Sequence, residues 1–172
     1  SHAALVGMRS TLGLVSRSGI VPLFLRNDVV GPMTRTVEDA TRVLDVITGY
    51  DSQDSITAYS KGNIPSSYLP VLDKNGLEGA RIGVLSQLSD DKPDPEISAL
   101  FIQAVSDLER LGANVITQVT IPNFEDLKSG QWCAEFKKDL ESFLNTHVTN
   151  DGPHSLEEII AVGSKSAYAQ SR

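Results

Sequence analysis

The sequence contains one cysteine, Cys133, in 172 residues. A framework of intramolecular disulfides is therefore excluded. No apolar run approaches the roughly 18 residues that a membrane-spanning helix requires. Positive charge is scarce: 15 Lys and Arg stand against 22 Asp and Glu, a formal net charge of −7. Non-specific nucleic-acid binding needs a basic face, and this composition does not supply one. Familiar catalytic signatures are missing as well. There is no G-x-S-x-G elbow, no phosphate-binding Walker loop and no G-x-G-x-x-G after a strand. His2, His147 and His154 do not stand at metal-ligand spacing with one another or with Cys133. No metal site and no cofactor is expected.

The remaining composition is that of an ordinary globular protein, with 40% apolar and 22% charged residues, and the alternation of strand and helix patterns along it makes the class α/β. Residues 3–33 are rich in Gly, Ser and Thr. Their short apolar pieces, 4–6, 12–15 and 20–25, read as strands joined by tight turns. Residues 35–48 read as a helix. Val37, Ala40, Val43, Leu44 and Ile47 share one face, Thr36 or Thr34 caps it, and Gly49 stops it. Residues 50–78 hold many turn formers. They read either as a surface connection or as a linker, with Gly79 opening a second unit.

Residues 80–121 give the clearest pattern. Arg81-Ile82-Gly83-Val84-Leu85 reads as a buried strand. Asp94 caps a helix with Pro95 at its first position and Glu96 at its positive end. Ile97, Leu100, Phe101, Ala104, Val105, Leu108 and Leu111 form its apolar stripe, and Gly112 ends it. Residues 114–121 form a second strand, so short joints imply a parallel crossover unit. A helix is expected within 123–147, with Leu127, Trp132, Phe136, Leu140, Phe143 and Leu144 on its apolar side. Ser155 and Glu158 form a capping box for a last short helix. The four segments are thus 1–54, 55–78, 79–122 and 123–172.

Candidate reactive groups are few. Cys133 beside Trp132 reads as a small buried hydrophobe rather than a nucleophile. Ser89 with Lys92, and Ser164 with Lys165, would need a desolvated lysine to act, and both lie in polar surroundings. Asp90, Asp91, Asp94 and Glu96 lack the Gly turn and final Glu of a calcium loop, and read as a solvated helix start.

One long pattern stands out. Ser10-Thr11-Leu12-Gly13-Leu14-Val15-Ser16-Arg17-Ser18-Gly19-Ile20-Val21-Pro22 is followed by Asp28-Val29-Val30-Gly31-Pro32-Met33-Thr34-Arg35-Thr36-Val37-Glu38-Asp39-Ala40. This resembles the amidase signature family, in the stretch just after its nucleophilic serine loop. Gly49-Tyr50-Asp51-Ser52-Gln53-Asp54 is similar to the family's G-x-D-x-x-D turn. Residues 135–140 and 155–161 are similar to segments of its peptide-amidase-like branch, although Val162-Gly163 replace the usual Phe-Asn.

The resemblance implies part of an α/β/α layered fold with a mixed, largely parallel sheet. It implies amide hydrolysis by a Ser–cis-Ser–Lys triad on a small amide or peptide amide, with no cofactor. The family's triad residues precede the point where Ser1 stands, so no residue here takes a triad role. Ser10, Ser16 and Ser18 occupy the wrong motif positions. The expectation is a piece cut from a longer hydrolase, inactive alone. The alternative is a non-catalytic module that assembles with a separate polypeptide, such as the rest of the amidase fold. Neither nucleic acid nor membrane is expected as a partner, and the single thiol leans cytoplasmic. Arg17, Asp28, Gly31 and Pro32 are expected to support the active-site floor, with Arg17 and Asp28 as an ion pair or as separate surface charges. Trp132 and Phe136 either line a substrate pocket or pack in the core.

Overall fold

The computed structural model describes residues 3–88, 93–129, 134–149 and 151–162. Ser89–Lys92, Trp132, Cys133 and the Ser164-Lys165 pair, all considered above, lie outside the described residues. The chain divides into two compact units, one of Ser1–Pro70 with Cys133–Arg172 and one of Val71–Trp132.

The first unit begins with β1 (Val6–Gly7), paired antiparallel with β2 (Met33–Thr34) in the register Val6 to Thr34 and Gly7 to Met33. The stretch between them is mostly turns, with Val15 bridging Thr48. The expected run of short strands over 3–33 is therefore corrected. Local bonds such as Leu14 N–H to Thr11 O and Ile20 N–H to Arg17 O satisfy the backbone instead of a ladder.

Gly31 shows why this ribbon needs glycine. A Cβ built there would stand 1.8 Å from Met8 O. The strands approach closely at this point, where the Met8 N–H bonds to Pro32 O at 3.0 Å.

α1 (Val37–Ile47) follows, and the Thr36 hydroxyl accepts the Asp39 N–H at 3.0 Å. Of the two candidate caps, Thr36 is the one used. Ala40, Thr41 and Leu44 are its buried residues. The helix ends at Thr48, extended, with its N–H bonded to Leu44 O. Short 3-10 turns at Ser55–Ser60 and Leu69–Val71 then punctuate the expected connection.

The same unit contains α4 (Phe136–His147) and α5 (Leu156–Val162), with Leu140 and Leu144 buried. The capping box of α5 is reciprocal. The Glu158 N–H donates to the Ser155 hydroxyl, and the Ser155 N–H donates to the Glu158 carboxylate, both at 3.2 Å. The expected single helix over 123–147 is instead two helices, since Ala134 and Glu135 form a turn before α4.

The second unit holds β3 (Arg81–Leu85), α2 (Pro95–Arg110), β4 (Asn114–Val119) and α3 (Phe124–Ser129). β3 and β4 pair in parallel from Arg81 opposite Asn114, with an irregularity between Gly83 and Leu85. The Asp94 carboxylate accepts the Glu96 and Ile97 N–H groups, and Pro95 sits in the first turn. Gly112, at φ +92°, closes the helix. There the Ala113 N–H bonds to Leu108 O and the Gly112 N–H to Glu109 O, the Schellman arrangement that left-handed glycine permits. Beyond the strands, the Gln87 carboxamide pairs with both backbone groups of Ile121.

Burial in this unit departs from expectation. No residue of α2 is buried, and the alternation along β3 leaves Arg81 and Gly83 exposed. Sequence periodicity identifies the apolar stripe correctly, but among the described residues only β4 pairs with β3. Among the described residues, no helix is long and apolar enough to cross a membrane.

Candidate functional site

The Ser16-Arg17 dipeptide is the hub of the first unit. Arg17 binds Asp54 as a fork: Nε donates to Oδ2 at 2.9 Å and a terminal nitrogen donates to Oδ1 at 2.8 Å. The Arg17 backbone N–H also donates to Oδ2 at 2.9 Å, and the other terminal nitrogen reaches Leu25 O. Both side chains are nearly enclosed, at 11% and 10% exposure. Bidentate geometry with this little water around it is the strong form of an ion pair. The Arg17 guanidinium accordingly holds the Asp54 carboxyl below its ordinary range, and Asp54 in turn raises Arg17.

Ser16 extends the contact. Its hydroxyl donates to Asp51 Oδ2 at 2.7 Å, and the Gln53 N–H donates to Asp51 Oδ1 at 2.9 Å. These two bonds lower the Asp51 carboxyl. Thr57, at 0% exposure, anchors the same turn. Its hydroxyl accepts the Asp51 N–H at 2.8 Å and faces Asp51 O and Asp54 O at 2.9 and 2.7 Å. A buried hydroxyl with this set of partners has its hydrogen-bonding capacity met.

Of the two readings of Arg17 and Asp28, the ion pair does not form, and Arg17 is paired with Asp54 instead. Asp28 faces its own loop, where Oδ2 accepts the Leu23 and Phe24 N–H groups at 2.9 and 2.8 Å. A carboxylate four and five residues from two free amides closes a turn locally, and Asp54 supplies the better fork. Asp28 acts on Arg17 only at longer range, as one of the charges that raise it. Gly31 and Pro32 lie at the β1–β2 approach described above, and Pro32 is buried.

A cleft of about 510 Å³ opens beside the clamp. Its walls include Arg17, Gln53 and Pro22, with Asp139, Phe143 and His147 of α4 opposite. His147 stacks on Phe143 with ring centroids 4.3 Å apart, and its Nδ1 lies 3.0 Å from Phe143 O. Phe136, read as either a pocket or a core residue, is half-buried in the first turn of α4 and does not line this cleft. Trp132, its expected partner, lies outside the described residues.

The three serine hydroxyls of the matched motif are engaged structurally. Ser10 is buried and donates to Val30 O at 2.7 Å, and Ser18 donates to Gln53 Oε1 at 3.1 Å. Ser16 faces a carboxylate held ionised, which is a weak base. The arrangement clamps two loops together and contains no nucleophile paired with a base through these serines. Among the described residues, no group of three His, Cys, Asp or Glu is arranged to hold a metal ion. Sequence reasoning missed the Asp54 end of the clamp, although both halves lay in segments it had singled out.

Comparison with known proteins accounts for this architecture. The Amidase family profile matches residues 1–171. A probable amidase of Arabidopsis thaliana is 36% identical over 97% of this chain and 32% of its own length. A glutamyl-tRNA(Gln) amidotransferase subunit from Akkermansia muciniphila is 34% identical over 83% of this chain and 30% of its own. The solved peptide amidase of Stenotrophomonas maltophilia superposes with a TM-score of 0.79 at 36% identity, covering 98% of this chain and 33% of that one. The chain spans about a third of the length of these relatives. It belongs to the Amidase family.

Proposed function

We propose that this chain is one third of an amide hydrolase and that it contributes scaffold rather than reacting groups. The observation that carries this reading is similarity to a solved peptide amidase over 98% of the chain but only 33% of that enzyme. The parent protein would cleave a carbon–nitrogen bond in a small acyl amide or a peptide amide. That substrate class is supported by a related peptide amidase solved with the competitive inhibitor chymostatin. The Ser–cis-Ser–Lys triad would be supplied by residues outside this sequence. The clamp joining Ser16-Arg17 to the Asp51–Asp54 turn would hold a wall beside those residues, with the Asp28 turn, Gly31 and Pro32 fixing its backbone. A cytoplasmic setting agrees with the single unpaired thiol.

The test is an amidase assay of the purified chain on peptide C-terminal amides and short acyl amides. No turnover and no labelling by a serine-directed phosphonate is the expected result. Turnover that the phosphonate titrates away would overturn the reading.

A second reading is favoured by the uncovered apolar face of α2. The chain would be a stable non-catalytic module that binds a separate polypeptide. Gel filtration separates the two: a clean monomer with a sharp thermal transition supports an autonomous module, and recovery only with a second polypeptide supports a fragment.

A further inference from the structure

Among the described residues of the first unit, Asp28, Asp45, Asp51, Asp54, Asp139 and Glu141 carry half-buried carboxylates. Asp28, Asp51 and Asp54 are bound as described above. Asp45 accepts the Ser67 hydroxyl at 2.6 Å and the Tyr68 N–H at 2.7 Å. Glu141 accepts the Leu156 N–H at 3.3 Å and meets Lys137 at 3.9 Å. Asp139 alone has no side-chain hydrogen bond or ion pair among the described residues. A carboxylate drawn partly out of water ordinarily has a partner.

Asp139 stands in the wall of the 510 Å³ cleft beside the clamp. That volume falls within the roughly 300–1,000 Å³ of small-molecule sites. The cation nearby is already spent, since Arg17 gives Nε and one terminal nitrogen to Asp54 and the other to Leu25 O. Other donors of the wall are committed too. Ser18 donates to Gln53 Oε1, Thr146 to Ser142 O, and His147 Nδ1 faces Phe143 O. A carbonyl oxygen only accepts, so Nδ1 carries the proton and the second nitrogen of neutral His147 is an acceptor. The Gln53 amide and the Ser142 hydroxyl are the donors left. Arg17 and Asp54 cancel, so Asp139 leaves the wall one negative charge in excess. Ile20 and Leu25, at 49% and 37% exposure, add apolar surface to the same cleft.

We infer that this cleft binds an organic cation on a short apolar stem, a guanidinium or primary ammonium ion whose charge pairs with Asp139 and whose methylenes lie along Ile20 and Leu25. The site draws on the first unit only and uses no group of the proposed triad, so it does not depend on amide hydrolysis. The competing account of Asp139 is local. It lies in the first turn of α4, where a negative charge favours the positive helix end.

The intact chain is titrated by NMR with n-butylguanidinium, n-butylammonium, methylguanidinium and n-butanol. Both butyl cations are expected to shift the amides of Asp139 and Phe143 saturably. Methylguanidinium should bind about fivefold or more weaker, having lost the stem, and n-butanol should not saturate. Asp139→Asn keeps the shape, removes the charge and should weaken n-butylguanidinium about tenfold or more. Glu38→Gln removes the same charge from an exposed residue of α1 outside the cleft and should bind as wild type does. Absence of saturable cation binding overturns the inference and leaves Asp139 to the helix end. Binding that Asp139→Asn leaves intact, or that Glu38→Gln weakens equally, overturns it as well, and so does n-butanol binding as tightly as the cations. N-acetylarginine amide binding as tightly as n-butylguanidinium sustains the site and assigns it to a peptide side chain. Its exclusion beside saturable n-butylguanidinium sustains the site for a free cation.

Discussion

The two units dispose of their apolar side chains in opposite ways. In the first, Leu44 of α1 is 3% exposed, and a polar clamp closes over the fully buried Thr57. In the second, Leu100 of α2 is 71% exposed and sits on a helix with no buried residue. Both helices carry an apolar stripe and both have a side-chain cap at the N-terminus. The stripe therefore fixes that a helix forms and which side it would bury. Whether that side is buried depends on a surface the helix cannot itself provide.

Deletion of side chains tests the contrast most severely. Leu44→Ala is expected to cost about 3–4 kcal/mol in urea unfolding, since a cavity opens in a filled core. Equal costs for Leu44→Ala and Leu100→Ala would break the comparison. Gly31→Ala should follow at about 2–3 kcal/mol, because the new methyl meets the Met8 carbonyl and must push β1 from β2. Amide exchange localised to Met8 would confirm where the strain falls.

Asp54→Asn should cost about 2 kcal/mol, as Arg17 keeps one acceptor but loses its counter-charge in a nearly enclosed place. The same pair predicts an acid limb. Arg17 depresses the Asp54 carboxyl below its ordinary 3.8, so the unfolded chain binds that proton more tightly than the folded one. The clamp's contribution is whole above pH 3.8 and is lost as the pH falls through the depressed folded-state value. Acid unfolding followed by circular dichroism should show a shallower low-pH decline in Asp54→Asn than in wild type. The smallest effect is expected for Leu100→Ala, within about 0.5 kcal/mol. That near-silence should end once α2 is covered by a partner.

Much of this was legible from residue order. The caps at Thr36, Asp94 and Ser155 are local, and so are the Gly112 stop and the strand–helix–strand unit of 81–119. Each depends on groups a few residues apart, where spacing decides the outcome. The clamp was half legible. Ser16-Arg17 and Asp51–Asp54 both belonged to segments resembling known family motifs, but periodicity does not say that two loops meet. The nearest acid in sequence, Asp28, was the wrong partner because the amides of Leu23 and Phe24 already claim it. The break between α3 and α4 escaped notice because apolar spacing continues through the turn at Ala134 and Glu135.

The clamp has a further consequence for how the first unit opens. Leu14 O accepts the Gly49 N–H, Ser16 meets Asp51, and Arg17 meets Asp54. Three contacts thus cross the same span of chain, with separations of 35 and 37 residues for the last two. Bringing such distant positions together costs loop-closure entropy on the order of 3 kcal/mol. That cost arises once, at whichever contact forms first. The others then form between neighbours already in place, so the three behave as a zipper fastened by a single event. The 14–54 span should accordingly open in one cooperative step, since losing any one contact leaves the closure held by the remaining two.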